Sequence, residues 1–209
     1  MLASIASRGT QQVWTVPMKL LHLDSSIQGD ASASRRLSAA IVEQLRGSDA
    51  SLEVRYRDLA AAPLPHITLP GLAREAAVSV LDEFLAADII VIGAPMYNFG
   101  LPTQLKAWFD HILIAGKTFR YGEQGVEGLA GGKRVVVALS RGGIYAASSP
   151  MAANEHAEAH VRAMLGFIGI TDLTFIVAEG VAFGEEVRAA AMEGALAEVK
   201  AIGVHAQAA

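Results

Sequence analysis

The 209-residue sequence predicts one domain of the α/β class, with a parallel sheet covered by helices. Two observations predict this class. From Met18 onward, short apolar runs alternate with longer segments of 3.6-residue periodicity, which is typical of strand–helix–strand units. The apolar fraction is 52%, yet runs such as Ile89–Ile92 are far shorter than the ~20 residues that cross a bilayer. Strands buried on both faces therefore explain the apolar content better than a membrane span does.

The alternation continues along the chain and gives five predicted strands, each followed by a predicted helix. Five such units can wind into the flavodoxin-like order 2-1-3-4-5, a doubly wound sheet with helices on both faces. Ligands then bind beyond the carboxyl ends of the strands where the order reverses, so a site is expected after the first, third and fourth strands. The predicted strands are Lys19–Leu23, Leu52–Asp58, Asp88–Ala94, Lys133–Ser140 and Asp172–Ala178. The predicted helices are Ser34–Arg46, Ala73–Ala86, Thr103–Ala115, Asn154–Phe167 and Gly184–Ile202.

The composition argues against several classes of partner. The net charge of -4 and the pI near 5.9 give no basic stripe for nucleic acid and no polybasic segment for a lipid membrane. The absence of cysteine excludes disulfides and cysteine metal sites, and it is compatible with the cytoplasmic location that we expect. Residues 1–17 lack both periodicity and a secretory-signal pattern, so we expect a flexible N-terminal extension before a single domain at residues 18–209.

The first predicted strand is followed by a serine-rich segment, DSSIQGDASASRRLS, that leads into a helix. Hydroxyls and unpaired backbone N–H groups at a helix N-terminus form an anion site, for which a phosphate is the obvious ligand. Ordinary helix capping by serine explains the same residues, and this segment alone leaves both interpretations open. Arg35 and Arg36 add positive charge, although we expect at least one of them on a solvated helix face.

The third predicted strand ends in the segment APMYNFGLP. Pro95 prevents an inner strand from continuing, and Gly100 allows the chain to turn. Tyr97 and Phe99 can wall a flat ligand at this edge of the sheet, while the Asn98 amide and the backbone N–H groups can bind its polar rim. The alternative is that the two aromatic rings only cover the core.

The fourth predicted strand runs into the segment SRGG. Gly142 and Gly143 permit positive φ and close backbone approach, so their N–H groups can point at one acceptor atom, as in a nest. A plain tight turn is the alternative for an isolated Gly-Gly pair. Because three unusual loops follow the three strands that border the predicted crevice, the sequence favours a binding site over three unrelated turns.

These segments, with AGKTFRY and GFIGITDLTFIVAEG, resemble the bacterial FMN-dependent NADH-azoreductase and NADH:quinone oxidoreductase family, in order, over about Met18 to Ile202. The resemblance implies FMN as cofactor, NADH or NADPH as electron donor, and quinones, azo compounds or nitroaromatics as acceptors. It also implies a homodimer. We expect no metal and no catalytic side chain, because the flavin performs the hydride transfer. The cofactor-binding residues that it implies are Ser26, Ser32, Ala33, Ser34, Pro95, Met96, Tyr97, Asn98, Phe99, Ser140, Arg141, Gly142 and Gly143.

Other functions share parts of this pattern. An FMN electron carrier without substrate turnover would use the same loops, but the long connection Gly116–Lys133 favours an enzyme. We assign that connection, and Ala61–Gly71, to a dimer interface or a substrate pocket. A response-regulator domain needs an acidic pocket, and Asp24 has no second acidic residue beside it in the predicted loops. His156 and His160 lie four apart on a predicted helix but lack a third ligand for a metal.

Overall fold

The structure is a computed structural model that describes residues 17–70 and 75–203. The predicted flexible extension therefore lies outside the described residues except for its last residue, Pro17. The second predicted helix was expected from Ala73, and its first two residues also lie outside the described residues. So does the chain after residue 203.

Five strands form one parallel sheet in the order β2-β1-β3-β6-β7, and two more form a separate antiparallel hairpin. Without the hairpin, this order becomes the predicted 2-1-3-4-5, and each strand end lies within one residue of its predicted position. The sheet is central because each crossover between its strands carries a helix. In chain order the strands are β1 (Lys19–Asp24), β2 (Glu53–Asp58), β3 (Ile89–Pro95), β4 (Phe119–Gly122), β5 (Gly125–Gly128), β6 (Arg134–Arg141) and β7 (Asp172–Glu179).

The helices are α1 (Ala33–Ser48), α2 (Glu75–Ala86), α3 (Thr103–Ile112), α4 (Ala157–Phe167) and α5 (Glu185–Val199). The third helix ends three residues before the predicted end at Ala115. The reason is Thr118, whose Oγ1 donates to the Ile112 carbonyl at 2.6 Å and accepts the Ile114 N–H at 3.0 Å. These bonds replace the next turn of helix, so the chain leaves the helix axis there. Among the described helices, none is both long and apolar enough to cross a membrane.

Apolar side chains leave the sheet on both faces and build two core clusters among the described residues. Ile89 and Val91 of β3 join the cluster of α1 and α5, whereas Ile90 and Ile92 join the cluster of α2, α3 and α4. This division follows from the strand geometry, since successive side chains point to opposite faces. All seven residues of β3 are buried, as the central strand of a doubly wound sheet requires.

The connection Gly116–Lys133 is not the open loop that we expected, because β4 and β5 pair within it. The hairpin lies against the end of α4, where Gly128 and Gly169 pack so closely that a Cβ on Gly128 would fall 2.2 Å from the Gly169 nitrogen. The Ala130 N–H donates to the Ile168 carbonyl at 2.9 Å and secures the same junction. This hairpin is hard to predict from sequence, since its strands have only four residues each and its turn lacks an Asn-Gly or Asp-Gly pair.

Candidate functional site

The loops after β1, β3 and β6 meet at the carboxyl edge of the sheet, where a site was predicted. The Ser25 N–H donates to the carbonyl of Gly93 in β3, and the Met96 N–H donates to the carbonyl of Ser140 in β6 at 2.7 Å. The Tyr97 hydroxyl lies 3.1 Å from Ser26 Oγ. Three segments that are far apart in the sequence are thus joined into one surface by hydrogen bonds.

The serine-rich segment after β1 is held tightly. Ser26, Ser32 and Ser34 are each at most 1% exposed. Ser32 caps α1 by accepting the Arg35 N–H at 3.3 Å, and its hydroxyl lies 3.1 Å from that of Ser34. Capping, the simpler of the two interpretations, is therefore present. The first-turn amides of Ala33 and Ser34 still have no acceptor within the helix, which leaves donors for an anion.

A buried polar network lies behind this segment. The Asp24 carboxylate accepts hydrogen bonds from Ser38 Oγ at 2.8 Å and from the Tyr56 hydroxyl at 3.2 Å. Burial raises the pKa of Asp24, although these hydrogen bonds and Arg35 oppose the effect. Burial and, to a smaller extent, the positive Arg35 lower the pKa of His22 to about 4, although its Nε2 lies 3.6 Å from Asp24. His22 is therefore a neutral, buried strand residue at neutral pH.

The turn after β3 is built differently from the prediction. Tyr97 and Gly100 exchange two backbone hydrogen bonds of 3.0 Å, and the residues between them, Asn98 and Phe99, have positive φ of 47° and 71°. Two consecutive positive φ values are the mark of a type I′ turn. Gly100, which we expected to provide the turn, does not have positive φ. A phenylalanine with positive φ costs roughly 1–3 kcal/mol, and such strain is often found at functional sites.

The aromatic rings of this turn do more than cover the core. The Phe99 side chain is 44% exposed, and Asn98 is also exposed. Tyr97 is half-buried, because its hydroxyl reaches the serine-rich segment. The alternative in which both rings serve only as core cover is therefore wrong. Among the described residues, the backbone amides of Asn98 and Phe99 have no acceptor, whereas those of Met96 and Tyr97 already bind carbonyl oxygens.

The segment after β6 also differs in detail. Ser140 and Arg141 belong to the strand itself, and neither Gly142 nor Gly143 has positive φ, so the predicted nest geometry is wrong. The carbonyls of residues 141, 142 and 143 instead accept hydrogen bonds from the amides of residues 181, 182 and 180, respectively. In a trans peptide the C=O and the following N–H point in opposite directions. The N–H groups of Gly142 and Gly143 therefore both point away from residues 180–182. Hydrogen bonds to residues 180–182, rather than positive φ, align these two N–H groups.

The Arg141 side chain forms ion pairs with carboxylates. It is 5% exposed and donates to Glu158 at 2.9 Å and to Glu179 at 2.8 Å, with Glu155 at 3.4 Å. Glu179 also accepts the N–H of Tyr145 at 2.9 Å. Arg141 thus ties the end of β6 to α4 and β7, and its guanidinium is committed to these glutamates.

Comparison with known proteins decides the family. The family model of the flavodoxin-like fold matches residues 18–202. FMN-dependent NADH:quinone oxidoreductase 2 of Bradyrhizobium diazoefficiens is 55% identical over 193 residues, which cover 86% of this chain and 96% of that protein. This chain belongs to the flavodoxin-like family of FMN-dependent NADH:quinone oxidoreductases and azoreductases. A structure of an azoreductase of this family from Bacillus anthracis has a TM-score of 0.78 and 27% identity, over 88% of this chain and 100% of that one. A structure of a B. anthracis FMN-dependent NADH-azoreductase in complex with FMN has a TM-score of 0.78 and 25% identity, over 88% of this chain and 96% of that one.

Asp58 and Tyr56, at this edge of the sheet, were not singled out from the sequence. Asp58 and Tyr56 of β2 contact Arg35, and Tyr145 packs its ring edge-on to Phe99 with the ring centroids 6.4 Å apart. Asp58 is 23 residues from Arg35, and no local pattern links them. The only available signal was position, since Asp58 ends the strand beside β1 and therefore lies at the same edge.

The histidines that the sequence set aside do not form a metal site among the described residues, where no group of three or more potential ligands is close enough to hold an ion. His156 is the exposed N-cap residue of α4, and His160 lies one turn further along. The third histidine, His111, is buried in α3 with Nδ1 2.8 Å from the Ala107 carbonyl, which is a structural contact.

Proposed function

We propose that this protein is an FMN-dependent oxidoreductase that accepts a hydride from NADH and reduces quinones, and that it also cleaves aromatic azo compounds to amines. The observation that carries the proposal is the convergence at one sheet edge of the α1 N-terminus, the strained turn at Phe99 and the amides of Gly142 and Gly143. The names of the relatives support an enzyme rather than an electron carrier. Nitroaromatics are further candidate acceptors, and NADPH is a candidate alternative donor.

The donor set at this edge fits the two chemically different parts of FMN. Ser26, Ser32 and Ser34 supply hydroxyls and Ala33 a first-turn amide, which together suit the terminal phosphate at the positive end of α1. The segment from Pro95 to Phe99 supplies an exposed aromatic ring and unpaired amides, which suit the face and rim of a flat ring system. Ser140 and the glycines that follow it would contact the pyrimidine side of the ring. Arg141 contributes by holding this segment in place, because its guanidinium binds glutamates and would not contact the ring.

The bound flavin supplies the hydride chemistry, so the chain has to bind, orient and exclude water rather than provide an acid or base. The amides of Gly142 and Gly143 would donate to the bound ring where negative charge develops on its reduction. Because the carbonyls of Arg141 and Gly142, in the same peptide units, are fixed by the 180–182 segment, these donors are oriented before any ligand binds. A proton for the product can come from water.

The direct test of this function is the absorbance spectrum of the purified protein loaded with FMN, followed by anaerobic addition of NADH and then of a quinone. We expect flavin absorbance to bleach with NADH and to return with the quinone. Binding of FMN should also be much tighter than that of riboflavin, and Ser34→Ala should reduce this preference. Ser48→Ala, at the exposed far end of the same helix, is the matched control. Failure to bind FMN would contradict the proposed function. Equal affinity for FMN and riboflavin would contradict the phosphate site.

The kinetic pattern follows from the number of exposed flavin faces. Three loops are assigned to one face and to the rim, so donor and acceptor should use the remaining face in turn. We expect parallel double-reciprocal plots, competitive inhibition by flat aromatics such as dicoumarol, and two turnovers for each azo bond. Intersecting lines would show that the two substrates bind together and would exclude the shared face.

A homodimer acting in the cytoplasm is part of the same proposal. Exposed apolar side chains support an interface, including Tyr121 at 74%, Val126 at 44% and Leu129 at 38% on or next to the hairpin, and Leu69 at 87% in the Ala61–Gly71 connection. Sedimentation equilibrium should give about twice the chain mass of 21.9 kDa. A fully active species of the single-chain mass would rule out the dimer as a requirement for activity.

A further inference from the structure

Arg35 connects both ends of the serine-rich segment. Its backbone N–H donates to Ser32 Oγ, while its side chain turns back and donates to the Ser26 carbonyl from Nε at 3.2 Å and from Nη2 at 2.7 Å. The guanidinium is held by Asp58 in a bidentate pair, with Nη1 to Oδ2 at 2.7 Å and Nη2 to Oδ1 at 2.8 Å. Nη1 also donates to the Tyr56 hydroxyl at 3.1 Å. Arg35 is therefore fixed to a neighbouring strand of the sheet.

The hydrogen-bond count decides what kind of role this arginine can have. A guanidinium has five N–H donors. Five hydrogen bonds to Ser26, Asp58 and Tyr56 use the same number of donors, so none remains for a ligand. The Arg35 hydrogen bond also lowers the pKa of Asp58 to about 2, so this pair stays ionised at any ordinary assay pH.

The peptide unit between Ser26 and Ile27 is what this arrangement fixes. Since the Ser26 carbonyl points at Arg35, the N–H of Ile27 points the opposite way. There it lies 3.3 Å from the Tyr97 hydroxyl, which is also 3.1 Å from Ser26 Oγ. Arg35 thus sets the orientation of the Ile27 amide, which meets the Tyr97 hydroxyl of the β3 turn.

We propose that Arg35, held by Asp58, is a positioning residue that orients the serine-rich segment for the terminal phosphate of the cofactor, and so sets the preference for FMN over riboflavin; this rests on the proposed FMN-dependent function. The alternative role, a direct charge on the phosphate, conflicts with the full occupation of its donors. The two roles predict opposite effects when Asp58 loses its charge. Without its ionic partner, a direct charge would attract the phosphate more strongly, whereas a positioning residue would lose its support.

The test measures the dissociation constants of FMN and of riboflavin for each variant, by quenching of flavin fluorescence. Arg35→Met should weaken FMN binding about tenfold or more and leave riboflavin within about twofold. Arg35→Lys, which keeps the charge but cannot form the fork, should also lose most of the preference. Asp58→Asn should weaken FMN binding about fivefold, while its remaining oxygen can still accept the Ala60 and Ala61 amides.

The matched control is Arg36→Ala, the next arginine on the same helix, whose side chain is exposed. It should leave the FMN to riboflavin ratio unchanged. Both dissociation constants are measured on the same preparation of each variant. A variant that is merely unstable therefore weakens the binding of both flavins and leaves the FMN to riboflavin ratio unchanged. Unchanged or tighter FMN binding in Asp58→Asn, or an unchanged ratio in Arg35→Lys, would overturn the positioning role. A wild-type protein that does not bind FMN would instead refute the proposed function.

Discussion

Gly93→Ala is expected to destabilise the protein severely, although it adds only one methyl group to a central strand. A Cβ at this position would lie 2.1 Å from Oδ1 of Asp24, and the carboxylate must move by about 1 Å to reach an ordinary contact distance. Ser38 Oγ, at 3.1 Å from the new atom, obstructs one direction of escape. The movement would break the 2.8 Å hydrogen bond from Ser38 and the 3.2 Å bond from Tyr56 to a carboxylate that is only 4% exposed.

The magnitude follows from these two contributions. Overpacking in a core costs about 1–3 kcal/mol, and a broken hydrogen bond to a buried charged group costs about 1.5–3 kcal/mol. With one overpacked contact and two broken hydrogen bonds, we therefore expect a loss of at least about 4 kcal/mol in the free energy of unfolding. Urea unfolding of the cofactor-free protein, followed by the fluorescence of the fully buried Trp108, measures this loss. The control is Gly166→Ala on the exposed side of α4, where a Cβ meets nothing within 4 Å and should be neutral or stabilising by about 0.5–1 kcal/mol.

A double-variant cycle identifies the cause of the effect. In an Asp24→Ala background the carboxylate is absent, so Gly93→Ala should cost less than about 1 kcal/mol there. The reasoning is refuted if Gly93→Ala costs the same in both backgrounds, or if it costs less than about 1 kcal/mol in the wild type.

Three further predictions concern stability. The pKa of His22 in the folded protein, about 4, lies below its ordinary value of 6.5, so between these pH values the unfolded chain binds more protons. The contribution of His22 to the free energy of unfolding is therefore complete above pH 6.5 and is lost as the pH falls toward 4. His22→Gln should remove about 3 kcal/mol of that pH dependence in urea unfolding, and an unchanged slope would contradict the assignment. Phe99→Gly should be more stable than Phe99→Ala by about 1 kcal/mol, because only the alanine retains the penalty of φ 71°; equal urea midpoints would argue against the strain. Gly128→Ala should displace the hairpin from Gly169 and speed amide hydrogen exchange in β4 and β5 but not in β3, and unchanged exchange would show that the contact is not required.

The sequence by itself determined the architecture of this protein and the edge of the sheet at which the three candidate loops meet. The periods of apolar residues are local, so they specified the five sheet strands to within one residue at each end. The flavodoxin-like order then placed the loops after β1, β3 and β6 at one edge, and the structure joins them there through Ser26, Tyr97 and Ser140. Capping of α1 by a serine was also readable from the sequence, since serine is a preferred N-cap residue and Ser32 takes that position.

The tertiary structure decided how that site is held together. In the segments after β3 and β6, positive φ belongs to Asn98 and Phe99 rather than to Gly100, Gly142 or Gly143. The Tyr97–Gly100 hydrogen bonds and the packing around them impose it. Asp58 reaches Arg35 across 23 residues, and Tyr97 reaches Ser26 across 71. Contacts of this kind leave no periodic signal in the sequence. Each joins elements that meet only where the strands end at the same edge, and only the packed sheet determines which side chains meet there.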